Sequence, residues 1–296
     1  MAEARGSRIS LEAITKSYPL PGRGGGAALP GRGGGAAHRL GGGAARRHGT
    51  GSRLVLDRVS FDAAPGEFIS VIGPSGCGKS TVFNILAGLD SPDSGRVLVG
   101  DGAASGTPHS AYMPQKDLLF PWRTVLDNTA LGLEVQGIDK REARRRAREL
   151  FPIFGLSGFE DARPFQLSGG MRQRAAMLRT VVQDRELLLL DEPFGALDSL
   201  TRTEMQDWLQ QVWQRYRWMV LMITHDIREA VYLSDRVIVL SARPATVRRE
   251  VRVNLPRPRE LSVVTSPEFV ALEQELLEVL HEESRRALAE QESAPR

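Results

Sequence analysis

The stretch Gly73-Pro-Ser-Gly-Cys-Gly78-Lys79-Ser80 fits G-x-x-x-x-G-K-[ST], a spacing suited to wrapping a phosphate chain. Gly73, Gly76 and Gly78 let the backbone curl until several N–H groups point inward at phosphate oxygens. Pro74, Ser75 and Cys77 occupy the variable positions, so the Cys77 thiol reads as a bystander. Lys79 offers a point charge to the outer phosphates, Ser80 a hydroxyl suited to Mg2+, and Thr81 a donor to the inner phosphates. A short apolar run precedes the loop. Helical spacing (Val82, Phe83, Ile85, Leu86) follows it, so a helix N-terminus meets the same charge.

Two other apolar runs end abruptly in polar groups. Leu187-Leu-Leu-Leu-Asp191-Glu192 would bring two acids to the carboxyl edge of a sheet, where open α/β folds bind ligands. Neighbours on a strand face opposite sides, so one acid can join a metal shell while the other meets an attacking water. Asp191 is assigned to Mg2+ and Glu192 to base or water-positioning duty. Met219-Val-Leu-Met-Ile-Thr224-His225 repeats the pattern, and His225 is the candidate sensor of a γ-phosphate. Leu167-Ser168-Gly169-Gly170-Met171 opens a predicted helix that runs to about residue 182. A serine hydroxyl and glycine amides at a helix start make a second anion site. With its own phosphate loop already serving one nucleotide, a chain has use for that second site only if it completes the site of another copy.

The run 167–174 resembles the signature of ABC ATPases, and the remaining landmarks fall in that family's order. Tyr18 resembles the aromatic that stacks on adenine. Gln115, in Tyr112-Met-Pro-Gln115, resembles the glutamine that touches Mg2+ and links two lobes. Asp198, in Ala196-Leu197-Asp198, resembles the loop that crosses to the partner subunit. The resemblance spans residues 8–240. It implies an α/β P-loop NTPase (RecA-like) core with a mostly parallel sheet, an N-terminal antiparallel β portion and a helical lobe bearing the signature. It also implies ATP and Mg2+ as ligands, with Glu192, His225 and Gln115 catalytic and Ser80, Gln115 and Asp191 around the metal. Ser168, Gly169, Gly170 and Met171 would then act in trans on a second ATPase subunit, an identical chain in the simplest case. Permease subunits, and indirectly a solute-binding protein, are the further partners implied, at the cytoplasmic face of a membrane. The stretches 118–128, 240–244 and 255–258, and Met171 where many ABC proteins carry Gln, resemble the nitrate/sulfonate/taurine import group.

The rest of the chain must position these groups. Strands are expected at 8–18, 55–63, 67–72, 96–99, 187–190, 219–223 and 236–240, and helices at 80–89, 142–151, 203–215 and 267–291. Strands alternating with helices argue an α/β fold in one domain of 296 residues. Residues 8–115 and 183–240 would form the nucleotide-binding core, 116–182 the helical lobe, and 241–296 an extension ending in an amphipathic helix. Residues 19–53 are rich in Gly, Ala and Arg and read as a flexible insertion that cannot bury a core. No acid falls between Glu12 and Asp57, so that stretch carries a local basic surplus, while the formal net charge is only +3. Such a balance gives no reason to expect nucleic acid as a partner. A single cysteine rules out an intrachain disulfide, and no run approaches the ~20 apolar residues of a membrane span. DNA-repair relatives would need a long coiled coil between phosphate loop and signature. Only about 90 residues separate Lys79 from Leu167, without sustained heptads.

Overall fold

The computed structural model describes residues 7–20, 51–100, 102–103 and 109–293. In chain order these form β1 (Ile9–Pro19), β2 (Ser52–Ala63), β3 (Phe68–Ile72), α1 (Lys79–Leu86), β4 (Ser94–Val99) and β5 (Gly102–Ala103). Next come β6 (Ser110–Met113), α2 (Val125–Val135), α3 (Lys140–Leu150), α4 (Gly169–Val181), β7 (Leu187–Asp191) and α5 (Ser199–Tyr216). The chain ends with β8 (Met219–Ile223), α6 (Ile227–Leu233), β9 (Arg236–Leu240), β10 (Val247–Arg252) and α7 (Pro267–Ser293). Most of the Gly/Arg-rich insertion, residues 21–50, lies outside the described residues.

The strands sort into two sheets. A six-stranded sheet runs β10-β9-β3-β8-β7-β6, parallel throughout except for the β10–β9 pair. A four-stranded antiparallel sheet runs β2-β1-β4-β5. β3, β7 and β8 are buried on both faces, which is why FISVI, LLLLD and MVLMI show almost no polar interruption. Their side chains still alternate. Leu188, Leu190, Val220 and Met222 join one apolar cluster with the helices, including α2, α4 and α5. Leu187, Leu189, Met219, Leu221 and Ile223 join the other, with α1 and the antiparallel sheet.

The helices α2, α3 and α4 all fall between β6 and β7, in the stretch expected as the helical lobe. Asn128, fully buried, fixes the approach to α2: its Oδ1 accepts from Phe120 N (2.7 Å) and its Nδ2 donates to the carbonyls of Phe120 (3.1 Å) and Thr124 (3.0 Å). The turn so held carries Trp122 into solvent, stacked on Phe120. One strand beyond the expected core boundary at residue 240 joins the sheet: β10 adds antiparallel to the β9 edge, and α7 packs back on α6 and β9.

Parallel strands share a carboxyl edge. β3 runs into the phosphate loop, β7 into Glu192, β8 into His225, β6 into Gln115 and β9 into the turn around Arg243. The register pairs Met113 with Leu190 and Asp191 with Ile223, so these exits lie side by side.

Candidate active site

The phosphate loop owes its shape to its glycines and to what packs against them. A Cβ at Gly73 would sit 2.9 Å from the Leu240 carbonyl oxygen, and one at Gly78 2.8 Å from a Leu56 methyl. Gly76 and Gly78 also adopt positive φ, +72° and +129°, which side chains rarely tolerate. Gly78 begins α1 with no side-chain cap, and the first bond of the helix runs from Val82 N to Gly78 O (3.1 Å). The amides of Lys79, Ser80 and Thr81 are thereby left without helical acceptors. Lys79 Nζ bonds the carbonyls of Gly73 (2.8 Å) and Pro74 (3.1 Å). Cys77 is buried in the apolar cluster around α1, and burial pushes its thiol up against the pull of Lys79 and Arg243. Its side chain fits the bystander reading.

Beside the loop lies a cleft of about 490 Å³, within the range of small-ligand sites. Ser75, Gly76, Gly78, Lys79, Ser80 and Thr81 line it, as do Tyr18, Arg53, Glu192 and Arg243. Tyr18 keeps its place despite the insertion that follows it, because β1 and β2 stay paired to their ends, Tyr18 opposite Arg53 and Pro19 opposite Ser52. Its hydroxyl donates to Asp90 Oδ2 (2.7 Å), which orients the ring.

At the next strand exit, Asp191 Oδ2 accepts from the Tyr112 hydroxyl (3.0 Å). Burial pushes the Asp191 carboxyl up, while the Tyr112 bond and the Lys79 charge pull it down. Glu192 takes φ +46°, a left-handed conformation costing about 1–3 kcal/mol in a non-glycine residue. Its N–H is held by the Ile223 carbonyl (2.9 Å). Its Oε2 accepts from Gln115 Nε2 (2.9 Å) and lies 3.3 Å from His225 Nδ1. The three residues expected to be catalytic, on three different strand exits, thus meet on one carboxylate oxygen.

A Mg2+ ion fits this donor set. Ser80 brings a hydroxyl, Asp191 a carboxylate, and Gln115, whose Nε2 is engaged by Glu192, keeps its Oε1 as an acceptor. Among the described residues no cluster of three or more His, Cys, Asp or Glu can hold a metal alone.

The signature residues stand apart: none of Ser168, Gly169, Gly170 or Met171 lines the cleft. Ser168 caps α4, its Oγ accepting from Met171 N (3.2 Å). Ser168 and Gly169 are exposed, Gly170 is buried with its Cα against Thr201, and Met171 packs on the core. Asp198 caps α5 by accepting from Thr201 N (3.1 Å), and the amide and hydroxyl of Thr201 hold its carboxyl below the usual range. Gln173 Nε2 donates to the Pro193 carbonyl, tying α4 to the turn that carries Glu192.

Two residues of the site escaped the sequence reading. Tyr112, which holds Asp191, was quoted only as a neighbour of Gln115; it sits on β6, a strand too short to announce itself. Arg243, noted only within the stretch 240–244, lies three residues past β9 as His225 lies two past β8, and that parallel was the available signal.

The chain matches the model of the ABC transporter family over residues 56–195. It is 43% identical to the formylaminopyrimidine import ATP-binding protein of Halalkalibacterium halodurans, over 80% of this chain and 94% of that one. It is 43% identical to the taurine import ATP-binding protein of Rhizobium johnstonii (76% and 88% covered) and 40% to the nitrate import ATP-binding protein of Synechocystis (78% and 89% covered). Among solved structures it resembles a dimeric bacterial ABC transporter cassette, with TM-score 0.64 and 28% identity over 84% of this chain and all of that one. A post-hydrolysis form of that cassette, bound to ADP and phosphate, matches equally well at TM-score 0.64. Identities of this size over most of both sequences carry the likeness beyond shared fold: the chain belongs to the ABC transporter family, as one of its ATP-binding, ATP-hydrolysing subunits.

Proposed function

We propose that two copies of this chain close face to face around two ATP molecules and reopen after hydrolysis, and that this cycle drives an importer for a small solute. The solute is nitrate, a sulfonate, taurine or a similar small molecule; the import proteins it resembles are named for taurine, nitrate and formylaminopyrimidine. The observation that carries the mechanism is the convergence of Gln115 and His225 on Glu192 Oε2, beside the cleft that Lys79 lines.

Lys79 and the amides at the start of α1 hold the phosphate chain of one nucleotide, and the ring of Tyr18 receives the base. Ser168 and the Gly169–Gly170 amides of the other copy close over the same phosphates. They fit this role because they stand outside the cleft of their own chain. Glu192, kept in one orientation by its two neighbours, accepts a proton from water as that water attacks in line. His225 has Nδ1 turned to Glu192, so Nε2 is the nitrogen it can offer to the γ-phosphate. Mg2+, held by Ser80, Asp191 and Gln115, would neutralise charge on the phosphates. Asp198, on the loop between the two sites, meets the partner copy.

No described helix is long and apolar enough to cross a membrane, so the spans of such an importer belong to permease subunits, with this chain docked at the cytoplasmic face. A solute-binding protein would deliver the cargo to them. The exposed turn from Phe120 to Trp122, fixed by Asn128 at the entry to α2, is the surface offered to the permease.

Steady-state ATPase activity of the wild type beside Glu192→Gln, with oligomeric state recorded in Mg·ATP, tests the cycle. Turnover in the wild type, with an inactive variant trapped as an ATP-bound dimer, is the expected result. Equal hydrolysis by both proteins, or no dimer of either in ATP, would sink it.

A further inference from the structure

The turn between β9 and β10, residues 241–246, touches the phosphate loop on one side and the C-terminal helix on the other. Arg243 Nη2 donates to the Gly76 carbonyl at the loop apex, and the Cα of Gly76 carries no side chain to hold the guanidinium off. The same side chain lines the nucleotide cleft, and its Nε is shut from solvent without a hydrogen-bond partner. A carbonyl oxygen at the apex carries the wrong partial charge for an anion site. A guanidinium bound to it offsets that charge and fixes the peptide, so that the loop's amides remain the groups turned to phosphate.

The turn that carries Arg243 is itself held from three directions. Ser241 and Thr246 close it through N–H donation from Ser241 to the Thr246 carbonyl and from Thr246 to Ser241 Oγ, both at 2.9 Å. Ala245 exchanges two bonds with β2: its N–H reaches the Val55 carbonyl (2.8 Å), and its carbonyl takes Asp57 N (2.9 Å). The third hold comes from α7. Glu283, 1% exposed, accepts the N–H of Ala242 on Oε2 (3.0 Å), while Arg248 (3.1 Å) and Arg286 (2.9 Å) neutralise it on Oε1. A buried carboxylate satisfied on both oxygens is a stiff anchor, and here it grips the residue next to Arg243.

We propose that Arg243 is a positioning residue for nucleotide binding, and that the C-terminal helix, through Glu283 and Ala242, belongs to the frame of the nucleotide site. The inference rests on the assignment of residues 73–81 to phosphate binding. Because Arg243 acts on the loop apex and not on the reacting water, its removal weakens ATP and ADP together and leaves the chemical step alone.

The test is calorimetric titration of full-length protein with Mg·ATP and Mg·ADP, beside steady-state kinetics, for wild type, Arg243→Gln, Arg243→Lys, Glu283→Gln and the double variant R243Q/E283Q. R243Q is expected to bind both nucleotides about tenfold more weakly, with KM raised in step and kcat within about twofold of wild type. R243K should recover part of the loss. E283Q should show a smaller loss of the same kind, and the double variant should bind no worse than R243Q, because the two residues act through one contact. Arg243 is half-exposed and Gln retains a donor, so R243Q is expected to fold, and its melting curve checks this. R243Q binding both nucleotides like wild type overturns the proposal. Additive losses in the double variant overturn the part played by α7. Wild type that bound neither nucleotide would overturn the phosphate-loop assignment as well, which separates that failure from this one.

Discussion

Two helices of this chain begin at glycine-bearing turns proposed to bind phosphate, and they begin differently. α1 starts at Gly78 with no side-chain cap, so its first amides are free to bind what enters the cleft. α4 starts at Ser168, whose Oγ already takes the N–H of Met171. A hydroxyl that accepts one bond still has its own proton to donate. The first site is therefore built as a receptor, from open amides together with the charge of Lys79. The second, in the proposed mechanism a lid, has one directed donor and lies outside its own cleft. A chain with one of each makes sense as half of a pair, and the contrast can be broken experimentally at either end.

The largest effect is expected at the receptor. Lys79→Ala removes the one full charge among the loop's donors, and ATPase activity should fall on the order of 10³-fold, with ATP affinity reduced more than ADP affinity. A variant with wild-type turnover would mean that the cleft beside Lys79 is not where hydrolysis occurs.

At the lid, cap and donor can be separated. Ser168→Ala loses both, costing about 1 kcal/mol of stability for the missing cap. Ser168→Asp keeps an acceptor for Met171 but has no donor and brings negative charge to a phosphate. Its melting temperature should match wild type while its ATPase rate drops at least about 10²-fold. ATP binding to the separated chain should stay unchanged in both variants. If Ser168→Asp hydrolyses ATP normally, the serine is only a cap, and the two helix starts differ in nothing functional.

The receptor was more legible in the sequence than the lid, for a physical reason. A phosphate loop needs glycines at fixed places because of local contacts, as Gly73 against Leu240 and Gly78 against Leu56 show, so spacing alone identifies it. Buried parallel strands also declare themselves, and the strand expected at residues 219–223 coincides with β8. Convergence was harder to read. That Gln115 and His225 share one oxygen of Glu192 depends on strand order, which no local pattern encodes. β10 was missed because VRREVR is an edge strand whose charged side chains mostly face water, leaving only Val251 fully buried to mark it. The helix α6, seven residues long, is too short for a periodicity to register.

Two carboxyls at the ends of these elements should also answer to pH in opposite directions. Glu229, after His225 in the first turn of α6, is 4% exposed and accepts from Gln206 of α5 (2.9 Å). Burial raises its carboxyl from 4.5 to about 7, against hydrogen bonds from Thr224 and Gln206 and the charge of Arg202, and nearby Asp226 adds to the rise. A raised carboxyl means that the folded chain binds more protons than the unfolded one between those values, so stability declines as pH climbs through that window. The full decline is on the order of 3 kcal/mol. Glu229→Gln keeps the bond with Gln206 possible and should flatten the melting-temperature profile between about pH 4.5 and 7. An unchanged slope would move the source of the decline elsewhere.

At Asp198 the sign reverses and the size shrinks. Asp198 caps α5 from an exposed position, and the amides of Thr201 and Leu200 hold its carboxyl below its ordinary 3.8. A lowered carboxyl stabilises the fold above that ordinary value and loses its contribution as pH falls through the folded-state value. Asparagine caps a helix about as well as aspartate but does not titrate there. Asp198→Asn should therefore melt with wild type near neutrality and show a slightly shallower loss on acidification below about pH 4. Because Gly170 packs its Cα against Thr201, the residue whose N–H Asp198 holds, a weakened cap also loosens the seat of the signature. An acid limb identical in the two proteins would mean that the charge of Asp198 adds nothing to the stability of the α5 cap.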